Sequence, residues 1–274
     1  MPKKVTRTLS DKKVQSYIDG IYEGDIDADN LPQDVYLSIV EYLKAGLYKG
    51  WGYDLKQFEK VVEEGKFWDN EDLELLQELR ENVYMFGAAK TYQMTKEISK
   101  LLIGDDGEAR TKEEFNDIAR ETYDNWNDNW GETEYSTAVG QALSANKWQQ
   151  IEKEKDVLPN LRYSAIGDAC DICMPLDGLT APVDDHIWNT VSPLNHFNCK
   201  CILEQVASED QKLTPDDEKE ELLKNADDKM DKVFMSNPAK DGMIFNEHHP
   251  YFEVAKEDRA YAARNFDLPI PDKD

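Results

Sequence analysis

Val35, Ile39, Leu43 and Leu47 recur at every fourth position, which makes one apolar stripe along a helix. Pro32 stands near its start, and the glycines of KGWGYD mark its end. A second stripe runs through FWDNEDLELLQELRENVYMFGAAKTYQMTKEISKLL, where Leu73, Leu76, Leu79, Val83 and Phe86 fall three or four apart. This pattern predicts one long helix, with Gly87 as the point where it would break. GDDGEAR then reads as a loop, and TKEE as a capping box with Thr111 at the N-cap and Glu114 three residues on. Phe115, Ile118, Thr122, Trp126 and Trp130 share a face of the next helix, which Gly131 interrupts. Ala138, Ala142, Ala145 and Trp148 align where the helix resumes, and a row of small side chains lets another helix approach closely.

The pattern changes at Pro159, which cannot continue a helix. RYSAI and CILEQV read as short strands, and the Asp-Gly pair of LDGLT as a hairpin signal. After Ala207, Thr214 as N-cap, Pro215 at the first helical position and an acidic first turn mark a new helix start. Leu222, Ala226, Met230 and Val233 give that helix its apolar side. The last 40 residues read as an irregular tail with one short helix.

Charge narrows the function classes. The 274 residues carry 57 acidic against 32 basic side chains, a formal net of −25. Such a field repels nucleic acid and anionic membranes and suits docking on a basic partner. No apolar run is long enough to span a membrane. The start, MPKKVTRTLSDKK, is basic but lacks the apolar region of a secretory signal, so synthesis in the cytoplasm is expected. Lys3, Lys4, Arg7, Lys12 and Lys13 of this arm are the one basic patch that could touch phosphate.

All four cysteines lie within 32 residues, together with a histidine. In a reducing compartment such clustering points to a metal more than to disulfides. Cys170 and Cys173 form one pair with two residues between, and His196 and Cys199 form another. The full spacing is C-x2-C-x22-H-x2-C-x-C. A structural zinc takes four thiolate or imidazole ligands in a tetrahedron, and tight turns supply two at a time. Five candidates compete for four places: Cys170, Cys173, His196, Cys199 and Cys201. If 199–201 were strand, Cys199 and Cys201 would point to opposite faces. That favours Cys199, leaving Cys201 as a buried thiol or an alternative ligand. Reduced core cysteines without a metal, or a disulfide in an extracellular particle, are the competing readings. Asp184, Asp185 and His186 read as a turn, and His248 and His249 as a capped turn before Pro250.

The fold class expected is therefore mainly α with a small β-rich zinc-knuckle module, an α+β chain. Residues 1–109 form a helical region. Residues 110–207 form a domain of helices at 111–155 and a Cys/His module at 160–207. Residues 208–274 form a C-terminal helix and extended tail. A module this small cannot bury enough apolar surface to be stable alone, so a zinc ion would cross-link it.

YSAIGDACDICMPLDGLT, then Trp188, then SPLNHFNCKC followed by an apolar strand, resembles the Mu F-like domain of phage minor head proteins, also called head morphogenesis proteins. Cys170, Cys173, Leu176, Gly178, Pro193, His196, Cys199 and Cys201 match its pattern. TEYSTAVGQALSANKW is similar to the helix that precedes the module in that family. Ser192 and Leu194 flank Pro193 where the family shows two adjacent prolines, and Lys200 replaces an arginine. The resemblance covers roughly residues 110–206. It implies a virion component present in few copies, associated with the portal protein or major capsid protein. Its expected role is head assembly or DNA packaging and ejection. A metal-dependent enzyme such as a nuclease is the alternative, but no catalytic motif supports it. A nucleic-acid finger is disfavoured, because residues 160–207 hold Arg162 and Lys200 against Asp168, Asp171, Asp177, Asp184, Asp185 and Glu204.

Overall fold

The stripe of Val35, Ile39, Leu43 and Leu47 is buried along a helix that runs Gln33–Trp51. It is α2 of a computed structural model that describes residues 9–27, 30–53, 71–166, 170–207, 212–260 and 263. Lys3, Lys4, Arg7 and Asp168 lie outside the described residues, as does the end of the tail. The other long helices are α1 (Asp11–Glu23), α3 (Glu71–Lys100), α4 (Lys112–Asp124), α5 (Trp130–Glu154) and α6 (Asp216–Lys229). A mainly helical chain with a small antiparallel sheet is thus the α+β class expected. The chain divides into two units: residues 1–46, 80–135 and 247–274, and residues 47–79 and 136–246.

In the first unit, Val14, Tyr17, Ile18 and Ile21 bury one face of α1. The Tyr17 hydroxyl lies 2.9 Å from Thr95 Oγ1. The α3 helix does not break at Gly87. A side chain there would put a Cβ 2.6 Å from Val40 Cγ2, so the glycine serves a close helix crossing instead. Thr111 and Glu114 form the complete capping box. The face beyond it differs from the expected one: Phe115, Ala119, Tyr123 and Trp126 are buried, while Trp130 is exposed. Ala119 and Tyr123 continue the stripe from Phe115 at every fourth position, and the π-helical turn at Asn125–Asn129 accounts for Trp130, since its wider winding shifts the register after it. The chain then stays helical through Gly131.

Near that turn, Lys90 is fully buried, with its ammonium 2.5 Å from both carboxylate oxygens of Glu134. It also donates to the Trp126 carbonyl at 3.0 Å, and the Tyr251 hydroxyl donates to Glu134 at 3.0 Å. The Trp126 and Tyr251 rings flank it at 5.8 and 5.7 Å. The irregular tail packs firmly here: Phe252 and Val254 are buried, and Gln93 donates to the carbonyls of Tyr251 and Glu253.

In the second unit, Ala138, Ala142 and Ala145 are fully buried on α5. A Cβ on Gly50 of α2 would overlap the Val139 carbonyl oxygen and lie 2.8 Å from Ala142 Cβ. The row of small residues is therefore the close crossing that its pattern predicts. Alanine is the better helix former by ~1 kcal/mol. Even so, Gly50→Ala is expected to destabilise the protein by about 1–3 kcal/mol through overpacking against backbone that cannot yield. Denaturant unfolding checks this; a variant as stable as the parent would mean the helices do not meet there.

Three antiparallel strands follow, β1 (Asn160–Ser164), β2 (Thr180–Pro182) and β3 (Ile202–Val206), in the order β2-β1-β3. Leu161 pairs with Ala181 and Tyr163 with Leu203. Asp177-Gly178 does not form a two-residue hairpin turn. Gly178, at φ +81°, ends a longer connection that carries Cys170 and Cys173, and its N–H bonds to the Tyr163 carbonyl. Leu161, Tyr163, Ile187 and Trp188 share one core with Trp148 of α5 and Ala226 of α6. Thr214 does not cap α6; Pro215 holds that position, and the Thr214 hydroxyl accepts from the Thr180 N–H.

Candidate metal centre

Each ligand pair spans a tight turn. The Cys173 N–H bonds to the Cys170 carbonyl at 3.1 Å, and the Cys199 N–H to the His196 carbonyl at 3.1 Å. Asn198, at φ +60°, closes the second turn in the left-handed region that asparagine tolerates. The strands β1 and β3 set the two turns side by side, because Ser164 and Ile202, the ends nearest the cysteines, are paired.

The five donors fall into two groups that share one member. Cys170, Cys173 and His196 place ligand atoms within 4.8 Å of one another, and so do Cys173, Cys199 and Cys201. The expected separation of Cys199 and Cys201 onto opposite faces does not occur. The strand begins only at Ile202, so alternation does not govern the residues before it. Cys173, Cys199 and Cys201 are buried, and Cys170 and His196 are partly exposed. None of the cysteines is in a disulfide.

The geometry suits a tetrahedral cation. The sulfurs of Cys173 and Cys199 lie 3.8 Å apart. A zinc–sulfur bond of about 2.3 Å gives a tetrahedral edge of about 3.8 Å. Hydrogen bonding to Cys199 and burial raise the Cys173 thiol, while the bond to Cys173 lowers Cys199. A bound zinc would instead hold its thiols as thiolates.

Spacing does not mark the residues around this cluster. The Tyr163 hydroxyl donates to Cys173 Sγ at 3.3 Å, and burial with that bond pushes its pKa well above the ordinary tyrosine range. Asn195 Nδ2 donates to the Tyr163 oxygen at 3.0 Å. This relay fixes the Cys173 sulfur as outer-shell partners fix a metal ligand. His196 Nδ1 sits 2.8 Å from the Phe197 carbonyl; if it donates there, Nε2 is left with its lone pair.

The other sequence candidates stand apart from ligation. Asp185 accepts from the Ile187 N–H at 3.0 Å and pairs with Lys219, and Asp184 pairs with Lys155. His249 Nδ1 accepts from the Tyr251 N–H at 3.3 Å, the capped turn expected before Pro250. No helix among the described residues is long and apolar enough to cross a membrane.

Residues 93–204 match the family described as phage Mu protein F like protein. The match includes all five donors and starts within α3. No curated protein and no solved structure matches the chain.

Proposed function

We propose that this chain, whose residues 93–204 match the phage Mu F-like family, is a phage head protein, a structural component of the virion that docks on the portal or the inner capsid. It is made in the host cytoplasm and aids head assembly or DNA packaging and ejection. A zinc ion staples the cysteine module so that it presents a rigid surface. The observation that carries this reading is the convergence of the Cys/His turns on Cys173 within a packed core. Cys173, Cys199 and Cys201 supply three buried thiols, and Cys170 or His196 completes the tetrahedron. A centre so filled keeps no position for a reacting water, whereas a catalytic zinc leaves one open. Asp184 and Asp185, the acidic candidates of the sequence, pair with Lys155 and Lys219. The role is therefore one of assembly, without sequence-specific nucleic-acid binding.

Immobilised portal protein and major capsid protein provide the test. The full chain is expected to be retained by one of them at low salt and released in part at high salt. Passage through both at every salt concentration would exclude docking on either. Plasmid incubated with the protein and divalent metals is expected to stay intact. Nicking that disappears in a Cys173→Ser variant would move the centre to chemistry.

A further inference from the structure

A groove of about 280 Å³ runs beside the cysteine cluster in the second unit. One wall is the α5 face that carries Ser144, Lys147 and Trp148, and the other is the segment from Lys200 to Leu203. Leu194 closes one end; it sits so near α5 that a Cβ on Gly140 would lie 2.5 Å from its Cδ1. Leu143, 47% exposed, stands at the lip.

Three observations say what this groove holds. First, β3 is an edge strand, and among the described residues no backbone hydrogen bond occupies its outer side. Unpaired N–H and C=O groups on an edge are a template for another strand. Second, the lining is mainly apolar, so it takes aliphatic side chains of whatever pairs there. Third, Lys147 and Lys200 are both exposed on the groove, and neither has an acidic partner within ion-pair distance among the described residues. Glu204 of β3 and Glu152 of α5 are paired with Arg162 and Lys155, and charges beyond about 8 Å are screened at physiological salt, which leaves the two lysines to attract a ligand seated between them.

We propose that this groove is a docking site for an extended segment of another protein, one that adds a strand to β3, places alternate aliphatic side chains against Trp148 and Leu194, and sets acidic residues beside Lys147 and Lys200. The inference depends on the groove alone and stands whether or not the partner is a portal or capsid protein.

Two labelled nonapeptides test it on the full-length protein: Glu-Glu-Thr-Leu-Thr-Leu-Thr-Glu-Glu, and the same core flanked by lysines. Fluorescence anisotropy is expected to show the glutamate peptide binding at least tenfold tighter at physiological salt. The surface variant Lys147→Glu with Lys200→Glu should reverse that order. Proline in place of the central threonine or, in a separate peptide, of the leucine before it should abolish binding in one of the two cases, because alternate N–H groups of an added strand pair with β3. Methyl NMR should shift Leu143, Leu194 and Leu203 on titration. Absence of binding, equal binding of both peptides, or binding unaffected by either proline would overturn the proposal. Sedimentation of the protein alone supplies a further check: a dimer that Leu143→Asp dissociates would assign the groove to a second copy and also overturn it.

Discussion

Cys173→Ser is expected to remove stoichiometric zinc from the purified protein and to unfold the cysteine module. Cys173 is the member common to both ligand groups, so no remaining set keeps the same centre. Structural zinc contributes roughly 10–16 kcal/mol in small metal-dependent folds. That equals or exceeds the whole stability of an ordinary domain, about 5–15 kcal/mol. Loss of the ion should therefore abolish the module's fixed packing, not merely soften it. The readouts are elemental analysis, near-ultraviolet circular dichroism reporting Trp188 of the module core, and far-ultraviolet dichroism reporting helix. The first two signals should fall, and most of the helical signal should persist, because α1 and α4 belong to the other unit. A chelator acting on the parent protein should reproduce the variant. Cys201→Ser should also lose zinc. A parent protein free of zinc, or a Cys173→Ser variant that holds it fully, would refute the centre.

Lys90→Met should destabilise the first unit by about 3–5 kcal/mol, the usual cost of stranding one charge of a buried pair. Glu134 would be left with the Tyr251 hydroxyl as its neutral donor. The Trp126 carbonyl would lose the ammonium that it binds at 3.0 Å. The double variant Lys90→Met with Glu134→Leu should recover much of that loss, since well-packed apolar residues often replace such a pair at little cost. Urea unfolding of the parent, both single variants and the double variant measures the coupling. Single variants that each cost under ~1 kcal/mol would show that the pair is solvated and not buried as described.

The helices were legible because their cause is local. The stripe from Val35 to Leu47 and the capping box at Thr111 each depend on residues within a turn or two of one another. The paired turns of the candidate metal centre were legible for the same reason. Three readings failed where the cause lies elsewhere in the chain or in backbone winding. Gly87 is written like a helix breaker, yet it exists to admit Val40, a residue from another helix. Trp130 falls in step with Trp126 on an ideal helix, and the π-helical turn displaces it. The separation of Cys199 from Cys201 rested on an alternation rule that applies only from Ile202 onward, and Cys201, kept as an alternative ligand, lies in one of the two groups. Lys90 and Glu134 were silent, because two ordinary surface residues 44 positions apart carry no mark of being buried together. Tyr163 was likewise read only as a strand residue; its hydroxyl reaches Cys173 through the return of the connection at Gly178.

The division of the chain has a consequence for biosynthesis. The first unit draws on three separated stretches and includes buried Phe252 and Val254; the second includes buried Ile244 and Phe245. A ribosome paused at residue 240 would hold a nascent polypeptide in which both interiors lack aromatic side chains still to be translated. Neither unit can finish folding before translation has passed position 245, and a premature stop codon anywhere before position 244 leaves neither interior filled.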